Sequence, residues 1–225
     1  MTLPIDHPRR LKRDFSHGEL IADAFVHAFA IIAGAIAFSV MFVRIDIIQR
    51  PSDGVAAMIY AASFFMLFGF SCAYNMTPPS PLKWLLRRFD HASIYLLIAG
   101  TYTAALSQMN DRAWAWSLIA IVWSAAIFGV ALKLAAPGRY DRASIVLYLA
   151  IGWVGIVAIK PLLEALPGVT LTLIVVGGVL YTVGVAFYLW QSLKFHNAIW
   201  HAFVTAAAGC QYAGIAYAMT RSTIT

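Results

Sequence analysis

Charge is scarce in this chain. Only 12% of its 225 residues are Asp, Glu, Lys or Arg, against a hydrophobic share of 61%. Soluble domains average about 25% charged and about 45–50% apolar residues, so this composition excludes an ordinary water-facing surface. Acids are scarcer than bases, ten against sixteen, which leaves a net charge of +6. In a soluble protein that excess would suggest nucleic acid. Here the basic residues sit in short segments between apolar runs, where they orient the chain and meet anionic headgroups. Membrane lipids are therefore the expected partners, nucleic acid is not, and no protein partner can be named. Cysteine is nearly absent. Cys72 and Cys210 fall inside apolar runs with no CxxC pair, so they form no disulfide framework and are small apolar residues. The opening segment MTLPIDHPRRLKRDFSHGEL lacks an early apolar core with a cleavage site, so no cleaved signal peptide is expected. There is no fixed-period repeat, and the apolar runs are too continuous for alternating outer-membrane strands.

Long apolar runs fill the space that charge leaves, and the mean hydropathy is +0.77. A bilayer core needs about 20 apolar residues per helix. Seven runs qualify, at about 20–43, 54–75, 90–108, 113–135, 142–160, 168–190 and 198–219. The predicted fold is all-α: a polytopic membrane protein with a seven-transmembrane helix bundle, an N-terminal segment 1–19 and a short tail 220–225. Pro51, TPPSP at 77–81, Pro137-Gly138 and Pro167-Gly168 punctuate the runs, and Lys160-Pro161 interrupts the fifth. Arg9, Arg10, Lys12, Arg13, Lys83, Arg87, Arg88, Lys133, Arg139, Arg142 and Lys194 fall on one side, and Arg44, Arg50, Arg112, Lys160 and Arg221 on the other. The positive-inside rule then places the N-terminus in the cytoplasm and the C-terminus outside, in the plasma (inner) membrane.

This orientation brings polar residues of four spans to one depth. Ser71 and Asn75 end span two, four residues apart and on one helical face. Asp90 and His91 open span three. His196, Asn197 and His201 open span seven. Glu19, Asp23 and His27 form a stripe along span one that reaches about 12 Å inward. Gln211, further along span seven, is placed on the His201 face. Residues at a span edge reach water or headgroups cheaply, and Asp90 has an ordinary role as an acid in a helix's first turn. Asp23, His27 and His201 lie deeper. There a charge costs at least about 2–3 kcal/mol, so these three should face the bundle interior. Imidazole and carboxylate on neighbouring helices are metal-ligand types, and imidazole suits zinc. A metal-bound water could attack a carbonyl beside Ser71 and Asp90. A proton relay or a polar network without metal uses the same groups. Elsewhere, Gly177, Gly178 and Gly184 suggest close packing of span six, and Gly100-Thr101 a packing notch. Tyr102, Trp114, Trp116 and Trp153 suit an interfacial belt.

The stretches ELIADAFVH, SCAYN, LRRFDHASIYLLIAGTYT and NAIWHAFV occur in order across about residues 17–219. Through them the chain resembles the hemolysin III family, the bacterial branch of the progestin and adiponectin receptor superfamily. The resemblance implies a seven-helix bundle with a zinc site near the cytoplasmic leaflet. That site is built from Ser-x-x-x-His on span two, an Asp opening span three and His-x-x-x-His on span seven. Its histidines hold zinc and its aspartate holds a zinc-bound water. Related members resemble ceramidases, while others are described as receptors or as regulators of membrane fluidity and energy state. Ser71, Asp90 and His201 match this pattern. Asn75 and Asn197 stand where two of the three histidines belong. His196 points about 140° away from His201 on a regular helix and cannot replace Asn197. Asn is neutral and a poor zinc ligand, but it both donates and accepts hydrogen bonds. The expected function is regulation or sensing of membrane lipid state through a polar cleft. The alternatives are a zinc-dependent lipid amide hydrolase using Ser71, Asp90 and His201, with zinc on His201, and a pore, which would need a continuous polar stripe across the bilayer.

Overall fold

The computed structural model describes residues 15–45 and 47–221. The basic residues from Arg9 to Arg13 and the end of the tail lie outside the described residues. Helix α1 spans His17–Arg44, α2 Pro51–Met76, α3 Pro81–Leu106 and α4 Arg112–Ala135. Helix α5 spans Asp141–Trp153 and runs through a 3-10 turn at Val154–Ala158 into α6, Ile159–Ala165. Helix α7 spans Gly168–Leu189 and α8 His196–Arg221. With α5 and α6 counted as one segment, seven membrane-length segments form an all-α bundle without strands among the described residues.

Local chemistry starts most of these helices. The Ser16 hydroxyl accepts from the Glu19 N–H while the Glu19 carboxylate takes the Ser16 N–H, a reciprocal cap on α1. Pro51 and Pro81 open α2 and α3, where a missing N–H costs nothing. Asp111 caps α4 through the N–H groups of Ala113 and Trp114. Consecutive helices pack side by side, and α8 returns to α1, so the bundle is a ring closed by its first and last helices. Helix α3 also touches α8 across the ring.

Five segments are long and apolar enough to cross a bilayer: α1, α2, α4, α5–α6 and α7. Helices α3 and α8 have the length, 26 residues each. They are diluted by the polar groups they carry into the interior. Helix α3 begins nine residues before the expected apolar run, because Lys83, Arg87 and Arg88 belong to its first turns.

The break in the fifth segment falls at Val154–Ala158, ahead of the expected Lys160-Pro161. A proline ring clashes with the carbonyl four residues before it, here that of Val157, so the backbone tightens upstream. Tyr102 of α3 repairs the break: its hydroxyl accepts from the Gly155 N–H and donates to the Gly152 carbonyl, both at 2.9 Å. Tyr102 was expected in the interfacial belt, but this pairing is a structural duty inside the bundle. Gly100 is the expected packing notch, since a Cβ there would come within 2.2 Å of Ser63 Oγ on α2. Gly177 likewise lets α7 close on α8, where a Cβ would stand 2.9 Å from the Ala207 carbonyl.

Candidate functional site

Antiparallel connections bring the start of α1, the end of α2 and the starts of α3 and α8 to one end of the bundle. Glu19, Asp23 and His27 are all buried on the inner face of α1, as their four-residue spacing requires. The Glu19 carboxylate caps its own helix and also accepts the Phe195 N–H at 2.9 Å. Phe195 precedes α8 with a φ of 63°, in the left-handed region unusual for a bulky residue. Glu19 thus holds the start of α8 against the start of α1.

One turn deeper, Asp23 Oδ1 lies 2.5 Å from His201 Nδ1, joining α1 to α8. The other ring nitrogen, His201 Nε2, lies 3.3 Å from the Ser71 hydroxyl on α2. Asn75 donates to the Ser71 carbonyl at 2.8 Å and more weakly to its hydroxyl at 3.4 Å. Asn197 in turn donates to Asn75 Oδ1 at 3.1 Å. Three helices are therefore linked by one chain of contacts, Asp23–His201–Ser71–Asn75–Asn197. His27 completes the cluster: its ring sits edge-on to that of His201, with centroids 4.4 Å apart, and its Nδ1 lies 2.8 Å from the Asp23 carbonyl. Asp90 is buried near the start of α3, with its Oδ2 3.9 Å from His91 Nε2.

Two predicted members have neighbours outside this chain of contacts. Gln211 lies along α7, where its side chain fills the space left by Gly177. Ten helical residues turn a direction by about 1000°, so Gln211 does not share the His201 face. His91 lies between Asp90, 3.9 Å from its Nε2, and a second cluster that the sequence did not suggest. There Asp141, at the start of α5, accepts from Arg87 at 2.7 Å and Lys133 at 2.8 Å, with His91 Nδ1 at 3.9 Å. The available signal was Asp141 itself, the single acid in KLAAPGRYDR. The loop cations also have fixed partners. Lys83 donates to the carbonyls of Tyr74 and Thr77 at the end of α2, and Arg88 to that of Leu134 at the end of α4. Those are the ends where helix dipoles favour positive charge.

On its far side the cluster meets an aromatic layer. Phe68 packs edge-on to His27, and Phe64, Phe38 and Tyr60 continue the layer in ring contact. Between α1 and α8 runs an apolar groove of about 450 Å³, lined by Val26 and Ala202, the chain neighbours of His27 and His201, and further along by Phe29, Gly34 and Tyr212. Phe25 and Phe29, which also line it, are exposed on the outer wall of the bundle.

The zinc set implied by the resemblance does not fit these residues. Asn75 uses both ends of its amide within the hydrogen-bond chain, and only His201 offers an imidazole there. A different set does fit. Asp23, His27 and His201 are all buried, and each can present one ligand atom within 4.8 Å of the others.

Residues 17–212 match the family model described as Haemolysin-III related. The chain is 38% identical to Hemolysin-3 of Bacillus cereus over 86% of its own length and 89% of that protein. It is 33% identical to a Hemolysin-3 homolog of Bacillus subtilis (strain 168), over 88% and 93% of the two chains. It is also 25% identical to the monocyte to macrophage differentiation factor of Homo sapiens, over 88% and 83%. With its apolar multi-helix bundle and a match that spans most of its length, this multi-pass membrane protein belongs to the haemolysin-III-related family.

Proposed function

We propose that the protein senses or regulates the lipid state of the plasma membrane through the cluster at the cytoplasmic end of its bundle. The observation that carries this reading is the position of the Asp23–His201 contact. It fastens α1 to α8 beside an apolar groove whose rim is exposed where lipid tails would lie. An acyl chain entering that groove would press on the seam which the contact holds. The test is spin labelling at Ile36→Cys on α1 and Ala213→Cys on α8, both exposed positions, with Cys72 and Cys210 replaced by serine. The interhelix distance distribution should differ between vesicles of saturated and unsaturated lipid, and Asp23→Ala should abolish the difference. Identical distributions in both lipids would contradict the reading.

Lipid amide hydrolysis is a second reading, favoured by the order carboxylate, imidazole, hydroxyl in Asp23–His201–Ser71. That order would orient His201 to take a proton from Ser71. Turnover of a lipid amide by purified protein, lost in Ser71→Ala, would support it. A pore has less support, because the buried aromatic layer would have to be displaced for water to pass.

A further inference from the structure

We propose that Asp23, His27 and His201 form a divalent-cation site, best suited to zinc, which takes the place of the histidine set implied by the family resemblance and clamps α1 to α8. The inference goes beyond the regulatory reading and stands or falls separately from it.

The first support is unmet hydrogen-bonding capacity. His27 is fully buried and Asp23 is 2% exposed, yet His27 Nε2 and Asp23 Oδ2 have no hydrogen-bond partner. Buried polar atoms without partners are rare and call for an explanation. The chemistry of the two orphans is specific. The Asp23 carbonyl can only accept, so His27 Nδ1 carries the proton in the 2.8 Å contact. In the neutral ring Nε2 is then a lone-pair acceptor. Asp23 Oδ2 is also an acceptor. Two acceptors on neighbouring turns call for a cation.

The second support is the donor set. Two imidazoles and one carboxylate form the type of set that holds zinc while leaving a position open. Atoms about 2 Å from one ion lie about 3–4 Å apart, and the three residues already bring one ligand atom each within 4.8 Å of the others. The third is the outer contact. A metal-bound histidine usually donates its other N–H to a carbonyl or carboxylate, which is the bond His27 makes to the Asp23 backbone.

The arrangement also gives a meaning to the two asparagines. At Asn75 and Asn197 the amides pair with each other and link α2 to α8. The ion's ligands move to α1, where an aspartate lies one turn before a histidine. Zinc so bound would bridge the first and last helices, the closing contact of the ring.

The experiment uses the full-length protein, purified in detergent with chelator and then titrated with zinc alone. Expected is one zinc per chain, with a rise in the thermal midpoint on zinc addition. His27→Gln and Asp23→Asn should each weaken zinc binding by about a hundredfold or more, since outer contacts alone are worth about 10–100-fold. Asn75→Ala and Asn197→Ala should retain it. The thermal shift of the unmutated protein needs no variant and guards against folding defects in the variants. Three outcomes overturn the proposal: no zinc uptake and no thermal shift, as when a buried water satisfies the orphans; uptake unaffected by His27→Gln and Asp23→Asn; or uptake lost in Asn197→Ala. Failure of the lipid-dependent distance change would leave these outcomes unaffected.

Discussion

Two carboxylates at the same end of the bundle, Asp23 buried and Asp141 partly buried, have opposite surroundings. Asp141 is held by a guanidinium and an ammonium, at 2.7 and 2.8 Å. Both direct partners are basic side chains, so its charge is matched by two ion pairs. Asp23 is held by the imidazole of His201 and lies 3.6 Å from that of His27, whose charge depends on a proton or an ion. The first arrangement fixes α5 to α3 and α4. The second joins α1 to α8 and leaves acceptors unmet. A membrane interior tolerates ionisable groups when they are paired or functional; the first cluster is paired, and the second is the one for which a function is proposed.

Removing each carboxylate separates them. Asp141→Ala should have the largest effect, because Lys133 is 3% exposed and would keep its charge without a partner. Asp141 is itself partly exposed, so the loss should lie at the low end of the range for breaking a buried pair, about 3 kcal/mol, to be measured by unfolding in mixed micelles. Gly100→Ala, between α2 and α3 and outside both clusters, calibrates a purely steric lesion. Its Cβ would meet Ser63 Oγ at 2.2 Å, and overpacking costs about 1–3 kcal/mol. Asp23→Asn should cost only about 1 kcal/mol in metal-free protein, because an amide can still accept from His201 and neither imidazole need carry charge. An Asp23→Asn penalty equal to that of Asp141→Ala would erase the distinction. The smallest effect is expected for Ser16→Ala, which removes the cap hydroxyl of α1 but leaves Glu19 on the Phe195 N–H, at about 0.5–1 kcal/mol in the same assay.

The bundle itself was legible because bilayer thickness sets helix length, and Pro and Gly mark the ends. The stripe Glu19–Asp23–His27 was legible because a four-residue spacing keeps one face. Pairing across helices was not. That Asp23 reaches His201, while His91 lies between Asp90 and Asp141, depends on helix rotation, which apolar periodicity barely constrains when every face of a span is greasy. Gln211 lies off the His201 face because ten residues are not a whole number of helical turns. The shift of the fifth-segment break to Val154–Ala158 follows from proline chemistry and could have been anticipated from Pro161.

The most direct test of the Asp23–His201 junction is a double-mutant cycle with Asp23→Ala and His201→Ala, each of which removes the contact, read by reversible unfolding in micelles. Contacting groups in one network show coupling of about 0.5–3 kcal/mol. A coupling above about 1 kcal/mol between these residues, 178 positions apart in the chain, is the predicted result, and losses that add within about 0.5 kcal/mol would contradict it.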